Sequence, residues 1–205
     1  MRLVLATSNP AKVERLRWLL AGVRGVEFVV AETALAVAEG EHALCENAST
    51  KARAYAVTHC CRSVATDGGV DVPALNGRWN PVLTGRNAAQ LLDLARDLHD
   101  NEREAFQVEC VAVADERGQI IGAFESRSTA RLLARVFDPR GLPRGFWVPG
   151  VLLYGPDRKR FADLSPVERE SLADDHWLAL RERVSALIAA EVTRLPGGPA
   201  RQARS

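Results

Sequence analysis

The chain has 205 residues, of which 27 are Lys or Arg and 26 are Asp or Glu, so its formal net charge is +1. This length is enough for one substantial hydrophobic core, and 47% hydrophobic with 26% charged residues is ordinary for a globular protein. The near-zero net charge argues against a general attraction to nucleic acid or to a membrane surface, so any anion site must be local.

The chain opens with a pattern of strand, polar loop and helix. Residues 3–6 form a short apolar run that predicts a buried strand, and the Thr-Ser-Asn-Pro of residues 7–10 ends it. Ser8 or Asn9 can cap the following helix, in which apolar residues recur at helical spacing. The first apolar run is too short for a signal peptide or a membrane span, which favours a cytoplasmic protein without a membrane partner.

The middle of the chain alternates between strand and helix patterns. The predicted elements are a strand at 26–30, a helix at 46–61, a strand at 63–66 ended by Gly68 and Gly69, a helix at 87–98, and strands at 105–114, 119–124 and 129–137. Residues 138–150 contain three prolines and three glycines and are predicted to form a loop. This mixture indicates an α/β fold with a mixed sheet.

The C-terminal part begins a helix at Ser165-Pro166, where a capping residue precedes proline. That helix is expected to reach about Arg194, with a break near Asp174. We predict one domain over residues 1–194 and a disordered tail over residues 195–205, which are rich in proline, glycine and arginine.

The cysteines do not indicate a redox or zinc motif. None of the four makes a C-x-x-C pair, and the histidines do not complete a zinc-binding pattern. We therefore expect reduced, buried thiols at Cys45, Cys60, Cys61 and Cys110.

The loop after the first predicted strand is a candidate anion site. Thr7, Ser8 and Asn9 stand where free backbone N–H groups and the helix dipole favour an anion. Lys12 adds a positive charge about one turn into the helix. The same residues also suit an ordinary capped helix with a solvated lysine, and the G-K-[ST] sequence of a P-loop is absent.

Two acids and a lysine form the next candidates. Glu46 and Lys51 share a predicted helix, roughly 140° apart around its axis, which is also compatible with a solvated helix face. Asp67 follows a predicted strand, and Gly68 and Gly69 after it allow close approach of a ligand. A carboxylate there can hold Mg²⁺ or activate a water, or it can simply form an Asp-Gly turn.

Aromatic residues near the C-terminal end offer a third kind of site. Phe146 and Trp147 lie on the predicted loop and can stack on a base, and His176 can hydrogen-bond a base edge. Packing of these rings under a long loop explains them equally well.

The order of these features resembles the inosine-triphosphate pyrophosphatase family, which acts on non-canonical purine nucleoside triphosphates. The family opens with a strand and T-x-N-x-x-K, which Thr7, Asn9 and Lys12 match. Its next helix carries E-N-A-x-x-K-A, and residues 46–52 match every defined position. Its central motif A-D-D-S-G-L is similar to residues 65–70, Ala-Thr-Asp-Gly-Gly-Val. The resemblance covers most of the chain.

The resemblance implies an elongated mixed β-sheet with flanking helices, two lobes around a central cleft, and a homodimer. It implies that a nucleoside triphosphate and water become a monophosphate and pyrophosphate, with Mg²⁺ as cofactor. The resemblance implies metal binding by Glu39 and Asp67, with Glu41 as an alternative to Glu39, and catalysis by Asp67, Lys51 and Glu46. It implies phosphate binding by Thr7, Ser8, Asn9 and Lys12. It implies base binding by Phe146, Trp147, Arg169 and His176.

The sequence departs from the family pattern at one acid and throughout the base-recognition half. Thr66 replaces the first acid of the D-D pair, and Gly68 replaces the serine. The loop G-F-G-Y-D-P becomes Gly-Phe-Trp-Val-Pro-Gly at residues 145–150 and loses its acid. Further on, Arg169 replaces a lysine, Asp174 takes the place of a histidine, and His176 comes two residues later.

These departures leave more than one function open. The first is a pyrophosphatase acting on a non-canonical or modified purine nucleotide. The second is a nucleotide-binding protein that has lost catalysis and serves as a sensor or partner subunit. A related pyrophosphatase of the Maf type is a third hypothesis, against which the intact E-N-A-x-x-K-A motif argues.

Overall fold

The computed structural model describes residues 1–31, 35–38, 40, 43–79, 82 and 87–194. The strands are β1 (Arg2–Leu5), β2 (Glu27–Val30), β3 (Arg62–Asp71), β4 (Glu104–Ala114), β5 (Ile120–Arg127), β6 (Arg131–Leu133), β7 (Leu152–Tyr154) and β8 (Lys159–Arg160). The α-helices are α1 (Pro10–Leu19), α2 (Leu44–His59), α3 (Ala88–Leu94), α4 (Pro166–Glu168) and α5 (Asp175–Arg194).

All the described strands belong to one mixed sheet with the order β2-β1-β3-β4-β6-β7-β8, and β5 also pairs with β4. β1 runs parallel to β2 and β3, whereas β3 with β4 and β4 with β5 are antiparallel. The predicted α/β class with a mixed sheet and flanking helices is therefore confirmed.

Three apolar clusters divide the molecule into two lobes. In the first lobe, α2 covers one face of the sheet through residues such as Ala48 and Ala52, and α1 with α5 covers the other face through residues such as Leu16 and Leu180. The second lobe packs α3, β6 and β7 around Trp79. Strand β4 belongs to both lobes, because its beginning pairs with β6 and the rest of it pairs with β3.

The helix patterns in the sequence correspond to the observed helices with shifted ends. In α5, Leu180, Val184 and Ile188 are fully buried at a spacing of four residues, as expected of a helix with one apolar stripe. The predicted break in the C-terminal helix is confirmed, since a π-helical segment at residues 169–173 ends at Asp174 before α5 begins. None of the helices in the described ranges is long and apolar enough to cross a bilayer.

One strand boundary was predicted wrongly. Gly68 and Gly69 do not end β3, which continues to Asp71. The two glycines remain in the ladder because Glu109 and Val108 of β4 lie opposite them and pairing needs only backbone groups. The short strands β7 and β8 were not predicted, since runs of two or three residues show no usable alternation.

The prediction of four reduced, buried thiols is wrong for Cys45 and Cys110, which are oxidised, and for Cys60, which is exposed. Cys45 at the start of α2 and Cys110 on β4 form a disulfide across 65 residues of sequence, whereas Cys60 and Cys61 are free thiols. The pair meets because α2 packs against β4, a contact that no sequence spacing reveals. The predicted tail at residues 195–205 lies outside the described residues.

Candidate active site

Asn9 shapes the start of α1. Its backbone is extended, its side-chain oxygen accepts a hydrogen bond from the Ala11 N–H at 2.9 Å, and Pro10 occupies the first helical turn. The Asn9 N–H in turn donates to Thr7 Oγ1 at 3.1 Å. Of the two predicted capping residues, Asn9 is therefore the cap.

Three charged side chains from three different elements meet beside this helix start. Lys51 of α2 places its Nζ 2.9 Å from Asp67 Oδ1 of β3, and Lys12 of α1 places its Nζ 3.7 Å from the same oxygen. Lys12 also donates to the Thr66 carbonyl at 3.4 Å. Two ammonium groups against one carboxylate leave excess positive charge, which suits a polyanion.

The charged cluster lies in a cleft between the lobes. A cavity of about 250 Å³ is lined on one side by Asn9, Lys12, Lys51, Asp67 and Gly68, and on the other by residues 145–148. The loop approaches α1 so closely that a Cβ on Gly145, whose φ is +77°, would lie 3.1 Å from Asn9 Nδ2. Phosphate-binding candidates and aromatic candidates therefore share one cleft.

The remaining predicted phosphate ligands line an adjoining cavity of about 210 Å³. Thr7 and Ser8 line it together with Asn9, Lys12 and Lys51. The predicted anion-binding residues are thus brought together, with Lys12 at the boundary of the two cavities.

Phe146 also borders a third cavity, of about 270 Å³, on the other side of Lys12. Trp18 and Trp177 form its aromatic walls, and the Arg15 guanidinium lies 5.3 Å from each of their ring centres. Arg15 is held there by Asp174, whose carboxylate is 2.8 Å away. Apolar walls with a few fixed charges are typical of a pocket for a flat ring.

Trp147 has a different setting from its neighbour Phe146. Its ring meets Trp79 edge to face, with the ring centres 6.3 Å apart, so it anchors the loop to the core of the second lobe. It still lines the central cleft.

Two predicted base-binding residues are not among the residues that line these cavities. The Arg169 guanidinium lies 4.5 Å from the centre of the Phe161 ring. His176 is only 1% exposed, its Nδ1 lies 3.2 Å from Asp175 Oδ1, and burial lowers its pKa. Neither residue lines the cleft or the aromatic cavity.

Glu46 occupies the first turn of α2 with its side chain exposed, and it is not among the described residues that line the cleft. Glu39 and its rival Glu41 lie outside the described residues.

A buried acid that the sequence analysis missed stands beside the charged cluster. Glu109 of β4 is 2% exposed, and Thr66 Oγ1 donates a hydrogen bond to its Oε1. Burial raises the pKa of Glu109 to about 7, although the Lys12 charge and the Thr66 hydrogen bond oppose the rise. A glutamate within the apolar stretch of residues 108–114 is the one local signal for it.

Gly68 makes room for this acid. The two residues are directly opposite in the β3–β4 register, and a Cβ on Gly68 would lie 1.8 Å from Glu109 Oε2. Any side chain at position 68 would therefore displace the Glu109 carboxylate.

The described residues offer one clear carboxylate for a divalent metal. No group of three or more His, Cys, Asp or Glu within the described ranges is placed to hold an ion. Mg²⁺ commonly keeps several waters and binds one or two carboxylates plus substrate phosphates. The Asp67 carboxylate at the cleft fits that pattern.

Comparisons with known proteins agree on one family. The sequence model of the Ham1 family matches residues 3–179. The chain is 34% identical to a dITP/XTP pyrophosphatase of Mycolicibacterium paratuberculosis over 209 residues, covering 90% of this chain and 95% of that protein.

Solved structures show the same similarity. A nucleoside-triphosphatase, also named dITP/XTP pyrophosphatase, from Mycobacterium abscessus superposes with a TM-score of 0.65 at 27% identity, covering 92% of this chain and 97% of that one. The Ham1 protein of Staphylococcus aureus has a TM-score of 0.73 at 20% identity, covering 93% and 100%, which supports the fold.

Proposed function

The chain belongs to the Ham1 family, and from this premise we propose that it hydrolyses a nucleoside triphosphate to a monophosphate and pyrophosphate. The observation that carries the proposal is the Lys12–Lys51–Asp67 cluster in a cleft whose opposite wall is aromatic. Relatives named dITP/XTP pyrophosphatase support the same reaction.

The phosphate end of the substrate is assigned to the start of α1 and the two lysines. The side chains of Thr7, Ser8 and Asn9 can donate hydrogen bonds to phosphate oxygens, and the positive end of the α1 dipole lies beside them. Lys12 and Lys51 neutralise the developing charge as pyrophosphate leaves. Such fixed charges in a cleft act mainly by stabilising the transition state, which is most of what phosphoryl transfer needs.

Asp67 is the described residue proposed to bind the metal ion. Asp67, together with Glu39 as the sequence resemblance implies, would hold Mg²⁺, which neutralises phosphate charge and fixes the geometry of attack. The chain's own part is to hold that carboxylate against the cleft through Lys51, whose Nζ lies 2.9 Å from it. Glu46 remains a catalytic residue predicted from the sequence resemblance.

The base end is assigned to the aromatic side of the cleft. Phe146, which borders both the cleft and the aromatic cavity, is the proposed stacking partner, and Trp147 extends the same wall. Arg169 and His176 remain predictions from the sequence resemblance. The sequence resemblance favours a non-canonical purine, and the altered loop at residues 145–150 favours a modified one.

The proposal also includes a single domain over residues 1–194, a homodimer and a cytoplasmic location, each carried over from the sequence analysis. Sedimentation of the purified protein tests the dimer directly. A monomer at all accessible concentrations would contradict it.

The decisive experiment is a substrate panel. Purified protein with Mg²⁺ is incubated with standard, deaminated and modified NTPs and dNTPs, and pyrophosphate and orthophosphate are scored separately. We expect pyrophosphate with a non-canonical purine nucleotide. Tight binding without hydrolysis at high protein concentration would instead support a nucleotide-binding role.

A further inference from the structure

Glu109 occupies a position that ordinary packing does not explain. Burying a carboxylate is costly unless it is hydrogen-bonded or paired, and Glu109 is 2% exposed on a strand whose neighbours are apolar. The Thr66 hydroxyl donates to it, and no side chain at position 68 competes for the space. Three positions, Thr66, Gly68 and Glu109, are thus mutually adapted to hold one acid.

The location of that acid coincides with the junction of two cavities. Glu109 lines the aromatic cavity, while its partner Gly68 lines the central cleft, and Lys12 and Phe146 border both. If the base stacks in the aromatic cavity and the outer phosphates bind the lysines, the phosphate next to the nucleoside lies at this junction. That phosphate, the α-phosphate, is the one that water attacks in the proposed reaction.

We propose that Glu109 is the second acid of the reaction centre, supplied across the sheet from β4, and that its carboxylate accepts a hydrogen bond from the attacking water. The inference rests on the proposed function. Thr66 holds one oxygen of the carboxylate, and the missing side chain at Gly68 lets the other oxygen approach β3. Because the Thr66 side chain contacts this carboxylate, an acid at position 66 would lie beside it, and this chain carries its second carboxylate on the neighbouring strand instead.

Two variants test the inference: the first removes the acid at position 109, and the second also places an acid at position 66. Glu109→Gln keeps the size and the hydrogen bond from Thr66 but removes the charge, and the double variant Thr66→Asp/Glu109→Gln returns a carboxylate on β3. Glu104→Gln, an exposed glutamate on the same strand, is the matched control. Circular dichroism and thermal melting establish that each variant folds, and kcat and KM are measured by pyrophosphate release.

We expect Glu109→Gln to lower kcat about 100-fold with KM changed less than about threefold, since loss of a group acting on the water removes transition-state stabilisation only. The relocated acid should recover about tenfold of that loss, and the control should stay within about twofold of the parent.

A folded Glu109→Gln variant within about threefold of the parent kcat would overturn the inference and leave the proposed function standing. A loss that the relocated acid does not recover would overturn it too, because an acid with a purely structural part would behave that way. A parent protein that releases no pyrophosphate would overturn the proposed function and this inference with it.

Discussion

Asp67 illustrates how one carboxylate acquires a function from its neighbours. Two lysines on different helices approach the same oxygen, at 2.9 Å from Lys51 and 3.7 Å from Lys12. Both lysine side chains remain partly accessible, so each can exchange this contact for a phosphate oxygen. Thr66 is a second example, because its hydroxyl donates a hydrogen bond to the buried Glu109 carboxylate.

Removing the Asp67 charge should remove most activity. In Asp67→Asn the lysines lose their anionic partner and the proposed metal loses a ligand, so kcat is expected to fall by about 100-fold or more. Pyrophosphate release under saturating substrate measures this, with Asp71→Asn on the same strand as the control. Unchanged turnover in a folded Asp67→Asn protein would defeat the assignment.

The raised pKa of Glu109 predicts a pH-dependent cost in stability. Burial raises this pKa from 4.5 to about 7, against the opposing effects of Lys12 and Thr66. Below the pKa of the unfolded chain, the carboxyl is protonated in both states and does not change the free energy of unfolding. Between the two values the unfolded chain ionises while the folded chain keeps its proton, so the free energy of unfolding falls as pH rises, and above the folded pKa the loss is complete.

Glu109→Gln should therefore gain stability relative to the parent as pH rises from about 5 to about 8, each unit of raised pKa corresponding to about 1.4 kcal/mol. Urea unfolding of both proteins across that pH range measures the difference. Parallel stability curves for the two proteins would show that Glu109 ionises normally in the folded state.

Among the elements, α2 and β3 together determine the charged cluster. α2 carries Lys51 to Asp67 because its alanine-rich face, including Ala48 and Ala52, packs closely on the sheet. The disulfide from Cys45 to Cys110 ties the start of the same helix to β4. Cys110 lies opposite Asp67 in the sheet register, so the covalent link stands next to the candidate site.

Reduction of this disulfide should destabilise the protein. Chain-entropy arguments for a link across 65 residues give about 4 kcal/mol, with about 2–4 kcal/mol typical of measured disulfides. Urea unfolding with and without a thiol reductant measures the change. The Cys45→Ser/Cys110→Ser protein should not respond to reductant, whereas Cys60→Ser, which removes an exposed free thiol, should respond like the parent.

At the scale of the whole molecule, two lobes face each other across the cleft and share β4. The first lobe supplies the charged groups, and the second supplies the loop with Phe146 and Trp147, which Trp79 anchors. A ligand that spans the cleft contacts both lobes and so links their stabilities.

A non-hydrolysable analogue of the best substrate should therefore raise the melting temperature. At a ligand concentration 100 times Kd the stabilisation is about 2.7 kcal/mol, which for a chain of this size is roughly 5–10 °C. Lys12→Met and Phe146→Ala, one on each side of the cleft, should each reduce the shift at the same ligand concentration. Arg96→Ala, which changes an exposed residue that does not line the cleft, should leave the shift intact.

The sequence by itself determined the local features and the chemistry of the main candidates. The capping pattern at residues 8–10 and the break near Asp174 follow from neighbours within one helical turn, although only the structure chose Asn9 over Ser8 as the cap. The order of the motifs at Lys12, residues 46–52 and Asp67 was enough to indicate the family, because these residues carry their chemistry wherever the chain places them.

Only the tertiary structure decided which distant residues meet. Thr66 contacts Glu109 across 43 positions, and Cys45 reaches Cys110 across 65, through packing that depends on the register of the whole sheet. The same packing buries His176 away from the cleft and keeps two glycines inside β3. Local patterns report spacing along one element, whereas strand register and the docking of helices on the sheet are set by the collective burial of all three apolar clusters.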